Sequence, residues 1–178
     1  MKSLTHYIQE KLIIKKSKTK NYKYFPETKE ELQDIIKKRI EVEGNEVDLN
    51  DIDVSKITDM SNLFYEHRNF NGDISNWDVS NVTNMYAMFY MCNKFNQDIS
   101  MWDVSNVTNM YAMFYCCRSF NQDISNWDVS KVTNMDYMFS RCNNFNQDIS
   151  RWDVSNVIDN DNMFGYCPIE EKYKPVFK

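Results

Sequence analysis

Residues 70–94 read FNGDISNWDVSNVTNMYAMFYMCNK, residues 95–119 read FNQDISMWDVSNVTNMYAMFYCCRS, and residues 120–144 read FNQDISNWDVSKVTNMDYMFSRCNN. Residues 145–169 continue the series with FNQDISRWDVSNVIDNDNMFGYCPI. A period of this length marks stacked repeats, in which each unit buries its apolar face only against its neighbours. Upstream, Leu49, Ile52, Val54, Ile57, Met60 and Phe64 fall in the same register, so about five turns are expected. With one parallel strand per turn at about 4.8 Å, the stack would be roughly 24 Å long.

Identical apolar residues repeated at each turn are explained by stacking on themselves in a continuous core. Nine columns qualify, starting at Phe70, Ile74, Trp77, Val79, Val82, Met85, Met88, Phe89 and Cys92. Burying each large side chain is worth about 1.5–3 kcal/mol, which offsets the ordering entropy of a turn that could not fold alone. Within the unit, Phe-Asn-Gln-Asp-Ile-Ser alternates apolar and polar positions and predicts a short strand. Val-Thr-Asn-Met-x-x-Met-Phe-x-x-Cys has apolar spacings of three and four and predicts a short helical segment. Asp and Ser in Trp-Asp-Val-Ser suit the bend between them, where their side chains bond nearby amides. The fold class expected is therefore an α/β repeat.

The ends depart from the pattern, as caps do. Asn160 stands in a methionine column and Ile158 in the threonine column, and Pro168 and Pro175 interrupt further repetition. Upstream, Thr28-Lys29-Glu30-Glu31 has capping-box spacing after Pro26, and Leu32, Ile35, Ile36 and Ile40 follow at helical intervals before Gly44. A helix from about 28 to 42 is expected, lying over the open edge of the first turn. Leu4, Tyr7, Ile8, Leu12 and Ile13 form a second amphipathic stretch within residues 3–14, joined to the rest by a lysine-rich linker. The organisation read from this is a helical segment and cap at 1–44, the repeats at 45–169 and a tail at 170–178.

The chain has 178 residues with 42% hydrophobic, 26% charged and 15% aromatic content, which is globular rather than disordered. The formal charge of −5 is uneven. Residues 1–44 hold 11 Lys/Arg against 7 Asp/Glu, a net of +4, and the remainder hold 10 against 19, a net of −9. An acidic body argues against nucleic acid there. No apolar run reaches the roughly 18 residues needed to span a bilayer, and no signal peptide is legible at the start. The expectation is a cytoplasmic protein, surface-exposed or secreted only if a leader has been removed.

Five cysteines raise the question of disulfides or metal. Cys92, Cys117, Cys142 and Cys167 share one column, where stacked side chains run parallel rather than toward each other, so packing is the reading. No Cys-x-x-Cys exists and the histidines are His6 and His67 alone, so no zinc site or other cofactor is expected. Aspartate columns through Asp73 and Asp78 lack the glycines of calcium-binding repeats and read as turn caps. The carboxylates repeat identically instead of forming a unique acid–base cluster, and no Ser-His-Asp set or phosphate loop is present, so no enzyme is expected. The threonine column Thr58, Thr83, Thr108 and Thr133 could form a hydroxyl array of the ice-binding kind, although its neighbours place it in a bend.

Trp-Asp-Val-Ser-x-Val-Thr-Asn-Met-x-x-Met-Phe-x-x-Cys and Phe-Asn-Gln-Asp-Ile-Ser, from Phe70 to Cys167, closely resemble the BspA-like family, a domain of unknown function abundant in mycoplasma lipoproteins and bacterial surface proteins. The resemblance covers roughly residues 47–168. It implies a right-handed, leucine-rich-repeat-like solenoid with a parallel strand and a short helical segment per turn, often serving adhesion or protein recognition. It carries no active site.

If the stack binds a partner, specificity belongs to positions that vary between turns. One such series is Asn76, Met101, Asn126 and Arg151 beside the strand; a second comprises Tyr86, Tyr111 and Asp136, with Tyr90, Tyr115, Tyr137, Arg118 and Arg141 on the presumed helical side. Tyrosine and arginine are favoured interface anchors. The function expected is non-catalytic recognition of a protein ligand. A structural component assembled through the N-terminal helices is the alternative, and a carbohydrate-active solenoid enzyme a more distant one.

Overall fold

The computed structural model describes residues 21–177, so the amphipathic stretch at 3–14 and most of the lysine linker lie outside the described residues. From Val47 onward each unit of 25 residues is laid on the one before it. Parallel bridges join Asp59, Asn84, Asn109, Asn134 and Asp159 in one continuous line, each to the residue 25 positions on. Rings confirm the register: Phe64, Phe89, Phe114, Phe139 and Phe164 form a file with centroid separations of 5.4, 5.5, 5.6 and 6.0 Å. A second file, Phe70, Phe95, Phe120 and Phe145, runs beside it at about 6 Å per step.

These files form the centre of one buried cluster. The isoleucine, valine, methionine and cysteine columns are almost wholly buried from Ile74 to Cys142, and Val157 and Cys167 in the last unit are partly buried. The tryptophans keep 4–5% exposure, and each indole N–H reaches back to a main-chain carbonyl, Trp77 to Leu49 at 2.9 Å and Trp102, Trp127 and Trp152 to Ile74, Ile99 and Ile124 at 3.1–3.2 Å. The cysteines do the same. Sγ of Cys92, Cys117 and Cys142 donates to the carbonyls of Phe64, Phe89 and Phe114 at 2.8–2.9 Å. All five cysteines are free thiols.

The segment whose spacing predicts a short helix is instead a chain of reverse turns. From Met85 to Cys92, N–H groups alternate: Met88, Tyr90 and Cys92 close turns onto the carbonyls of Met85, Ala87 and Phe89. Met85, Ala87, Phe89 and Met91 point along the stack to Asn109, Tyr111, Met113 and Tyr115, at 2.7–2.9 Å. A helix would consume all of these donors within its own unit and leave none to join the turns. The alternation requires left-handed backbone at Ala87 and Met91, with φ of 50° and 60°, and the same two positions recur in every turn. None of them is glycine, so each carries a steric cost of about 1–2 kcal/mol that the hydrogen bonds between turns offset.

The Phe-Asn-Gln-Asp-Ile-Ser segment is extended but is tied mainly by side chains. Asn71 Oδ1 accepts the Asn96 N–H at 3.0 Å, and Gln97 Nε2 donates to the Asn71 carbonyl at 2.8 Å, an arrangement repeated at Asn121/Gln122 and Asn146/Gln147. Gly72 takes the place of glutamine in the first regular unit, residues 70–94, because a Cβ there would lie 2.6 Å from the Val47 carbonyl oxygen. In each Asp-x-Ser from Asp73 to Ser155, the aspartate Oδ1 accepts the serine N–H at 2.9–3.2 Å.

Helix α1, Lys29–Glu43, supplies the N-terminal cover. Thr28 caps it, accepting the Glu31 N–H at 3.2 Å, and the chain leaves through Gly44 at a φ of 90°. Leu32 and Ile36 are buried in the same cluster as the repeats. Lys29 bonds the Ser61 hydroxyl at 2.6 Å, and Arg39 joins Asp51 at 2.8 Å and Glu43. At the other end, Ile169 and Pro175 are buried, and the Tyr173 carbonyl accepts the Ile149 N–H at 3.0 Å.

Candidate functional site

The turn chain decides which side chains reach solvent. Reversal at Ala87 and Met91 sends Met85, Met88 and Phe89 inward and turns Tyr86 and Tyr90 outward. Asn84 prepares this, because its Oδ1 accepts the Tyr86 N–H at 3.1 Å, and Asn109 does the same for Tyr111 at 3.0 Å. Exact repetition then stacks like on like. Tyr86 and Tyr111, the inner row, lie face to face at 4.8 Å, and Tyr65, Tyr90 and Tyr115 form a longer, outer row with both steps at 4.7 Å. Where Asp136 breaks the inner row, Tyr137 meets the Tyr111 ring edge-on at 6.0 Å.

The result is two neighbouring rows of tyrosines, with Tyr65 and Tyr86 exposed and Tyr90, Tyr111, Tyr115 and Tyr137 half-buried. Partial burial, reinforced by the neighbouring phenols, raises the Tyr90 and Tyr111 pKa values above the ordinary tyrosine range. Tyr90 and Tyr111 are therefore uncharged donors at neutral pH. Arg118 is exposed beside the outer row. Of the second predicted series the structure thus stacks Tyr86 on Tyr111 and Tyr115 on Tyr90. Tyr65 belongs to the latter stack too; sequence reading missed it because the first unit is degenerate, although Phe64-Tyr65 is in register with Phe89-Tyr90.

The first series stands elsewhere on the unit. Asn76, Met101, Asn126 and Arg151 are all exposed, Met101 at 87%, and share one position in successive turns. They follow the extended segment, ten residues before the inner tyrosine row, and the two series do not merge. The threonine hydroxyls are not an open array: those of Thr83, Thr108 and Thr133 donate to the threonine carbonyl of the preceding turn at 3.1–3.3 Å. Among the described residues no three His, Cys, Asp or Glu side chains are grouped to hold a metal ion. Burial holds the thiols of Cys92, Cys117 and Cys142 protonated, far above the usual range.

A family model described as Mycoplasma protein of unknown function, DUF285, matches residues 30–128 and again 102–171. The chain belongs to the DUF285 family. The two matches overlap, which a 25-residue repeat allows, and together they take in most of α1 and all the regular units of this DUF285 chain. No curated protein and no solved structure matches it. No helix among its described residues is long and apolar enough to cross a membrane.

Proposed function

We propose that this DUF285 chain is a non-catalytic protein-recognition module whose contact surface is the tyrosine face. The observation that carries the reading is the division of labour within the unit: invariant positions fill the core or bond the backbone, whereas Tyr65, Tyr86, Tyr90, Tyr111 and Tyr115 are large, rigid and turned to solvent. Tyrosine supplies contact area at small entropic cost and is enriched where binding energy concentrates. The wider architecture fits a right-handed, leucine-rich-repeat-like solenoid of the BspA-like kind, in which turn chains replace the helical segments. Parallel bridges at a constant offset support that reading. Met101 and Arg151 form a separate, smaller candidate surface.

The test compares capture from an extract of the source cells by the intact chain, by a Tyr86→Ser/Tyr111→Ser/Tyr115→Ser variant, and by Met101→Ala/Arg151→Ala. Loss of the same captured protein with the tyrosine variant alone is the expected outcome, with circular dichroism showing both variants folded. Equal capture by all three would remove the tyrosine face from consideration.

A further inference from the structure

Between residues 45 and 169 there are seven basic residues against 17 acidic ones. Three of the seven are engaged or neutralised nearby: Lys56 pairs with Glu27 at 2.5 Å, Lys131 bonds the Asn106 side chain at 2.7 Å, and Arg151 lies in the field of Asp148. The other four are Arg68, Lys94, Arg118 and Arg141. All are exposed, and among the described residues none has a carboxylate partner; Arg141 rests on the Tyr166 ring at 5.1 Å. Their placement is not scattered. Arg68, Lys94 and Arg118 come three or four residues after Tyr65, Tyr90 and Tyr115, just past the position that Cys92 and Cys117 fill. Arg68 and Arg118 occupy the same position two units apart, and Lys94, in the unit between them, stands one residue further on, its N–H bonded to the Arg68 carbonyl at 3.2 Å, so the three charges make a short cationic row after the outer tyrosines.

The tyrosines narrow the ligand. Their ring faces are occupied by each other at 4.7 Å, so a base or a sugar ring has no free face on which to stack except at the row's ends. What the row presents is ring edges and phenol hydroxyls. The edge of an aromatic ring is the positive part of its quadrupole, and the hydroxyl is a donor, so both favour anionic oxygen. A long phosphodiester is disfavoured because the cationic row is only three residues long and cannot neutralise an extended run of phosphates.

We propose that Tyr65, Tyr90 and Tyr115 together with Arg68, Lys94 and Arg118 dock an extended, carboxylate-rich polypeptide segment running along the stack. This rests on the protein-recognition reading and names its partner's chemistry. From Arg68 to Arg118 the row crosses two steps, about 10 Å at about 4.8 Å each, which an extended segment of three or four residues spans.

Fluorescence anisotropy of a labelled peptide of about eight residues, alternating Glu and Ser, tests this on the whole chain, with the Gln-for-Glu peptide and a short oligothymidylate as comparators. The Glu peptide is expected to bind and to weaken as salt rises. Its Kd should increase about tenfold or more in Arg68→Ser/Lys94→Ser/Arg118→Ser and stay unchanged in Lys131→Ser/Lys172→Ser. No binding of the Glu peptide, equal loss in the two variants, or tighter binding of the oligothymidylate overturns the proposal. If the tyrosine variant still loses its captured protein in those cases, recognition stands and only the acidic partner falls.

Discussion

Phe114 lies at the middle of the longer phenylalanine file, wholly buried between Phe89 and Phe139, whereas Phe164 at the end of the same file is only half-buried. Chemical denaturation should therefore show Phe114→Ala costing about 3–5 kcal/mol and Phe164→Ala clearly less. Equal costs would mean that the file does not end at Phe164. Gly72 offers a sharper case. Gly72→Gln makes the first regular unit match its neighbours, yet it should destabilise by about 1–3 kcal/mol because the Val47 carbonyl occupies the space of the new Cβ. A rise in melting temperature would contradict the contact. Residue-level columns were legible in the sequence because stacking repeats the same requirement at every turn. The indole and thiol bonds were not, since a tryptophan or cysteine column looks the same whether or not its polar atom reaches a carbonyl.

At the scale of elements, the turns rather than helices carry the stack, and the aspartates hold the bends. Side-chain and main-chain hydrogen bonds from the serine two residues on lower the pKa values of Asp98, Asp103, Asp123 and Asp128. A depressed carboxylate contributes stability above its unfolded pKa of about 3.9, and that contribution is lost as pH falls through the lower folded value. The urea midpoint should accordingly hold between pH 7 and about 5 and drop below about pH 4. Replacing these four aspartates with asparagine should flatten the drop; an unchanged acid limb would locate it elsewhere. The short-helix expectation failed here for a physical reason. Spacings of three and four describe any chain that returns to the same side after one reverse turn, and the left-handed residues Ala87, Ala112 and Tyr137 give no glycine to betray it. Helix α1 was legible almost to its ends, since Thr28 and Gly44 mark both.

For the whole molecule, one continuous core joins α1, the repeats and the start of the tail. Leu32→Ala/Ile36→Ala should cost about 4 kcal/mol or more and lower a single unfolding transition, because the helix and the first unit share that core. A separate early transition for α1 would contradict it. The tyrosine face is a property at this scale: two adjacent outward positions per unit become rows only when the units stack, which is why the sequence showed the residues but not the surface. The partner's identity is not a product of folding and leaves no periodic trace.

Register at 25 residues is the claim on which both the core and the rows depend, and spin labels test it in solution. Labels on Asn76→Cys paired with Met101→Cys, Asn126→Cys or Arg151→Cys sit on exposed positions one, two and three units apart. Dipolar broadening of the continuous-wave spectrum, corrected by single-label controls for any native thiol reached, should be strong for the first pair and fall stepwise as the separation grows by about 4.8 Å per unit. Absent broadening for the first pair, or the same broadening for all three, would contradict the stack.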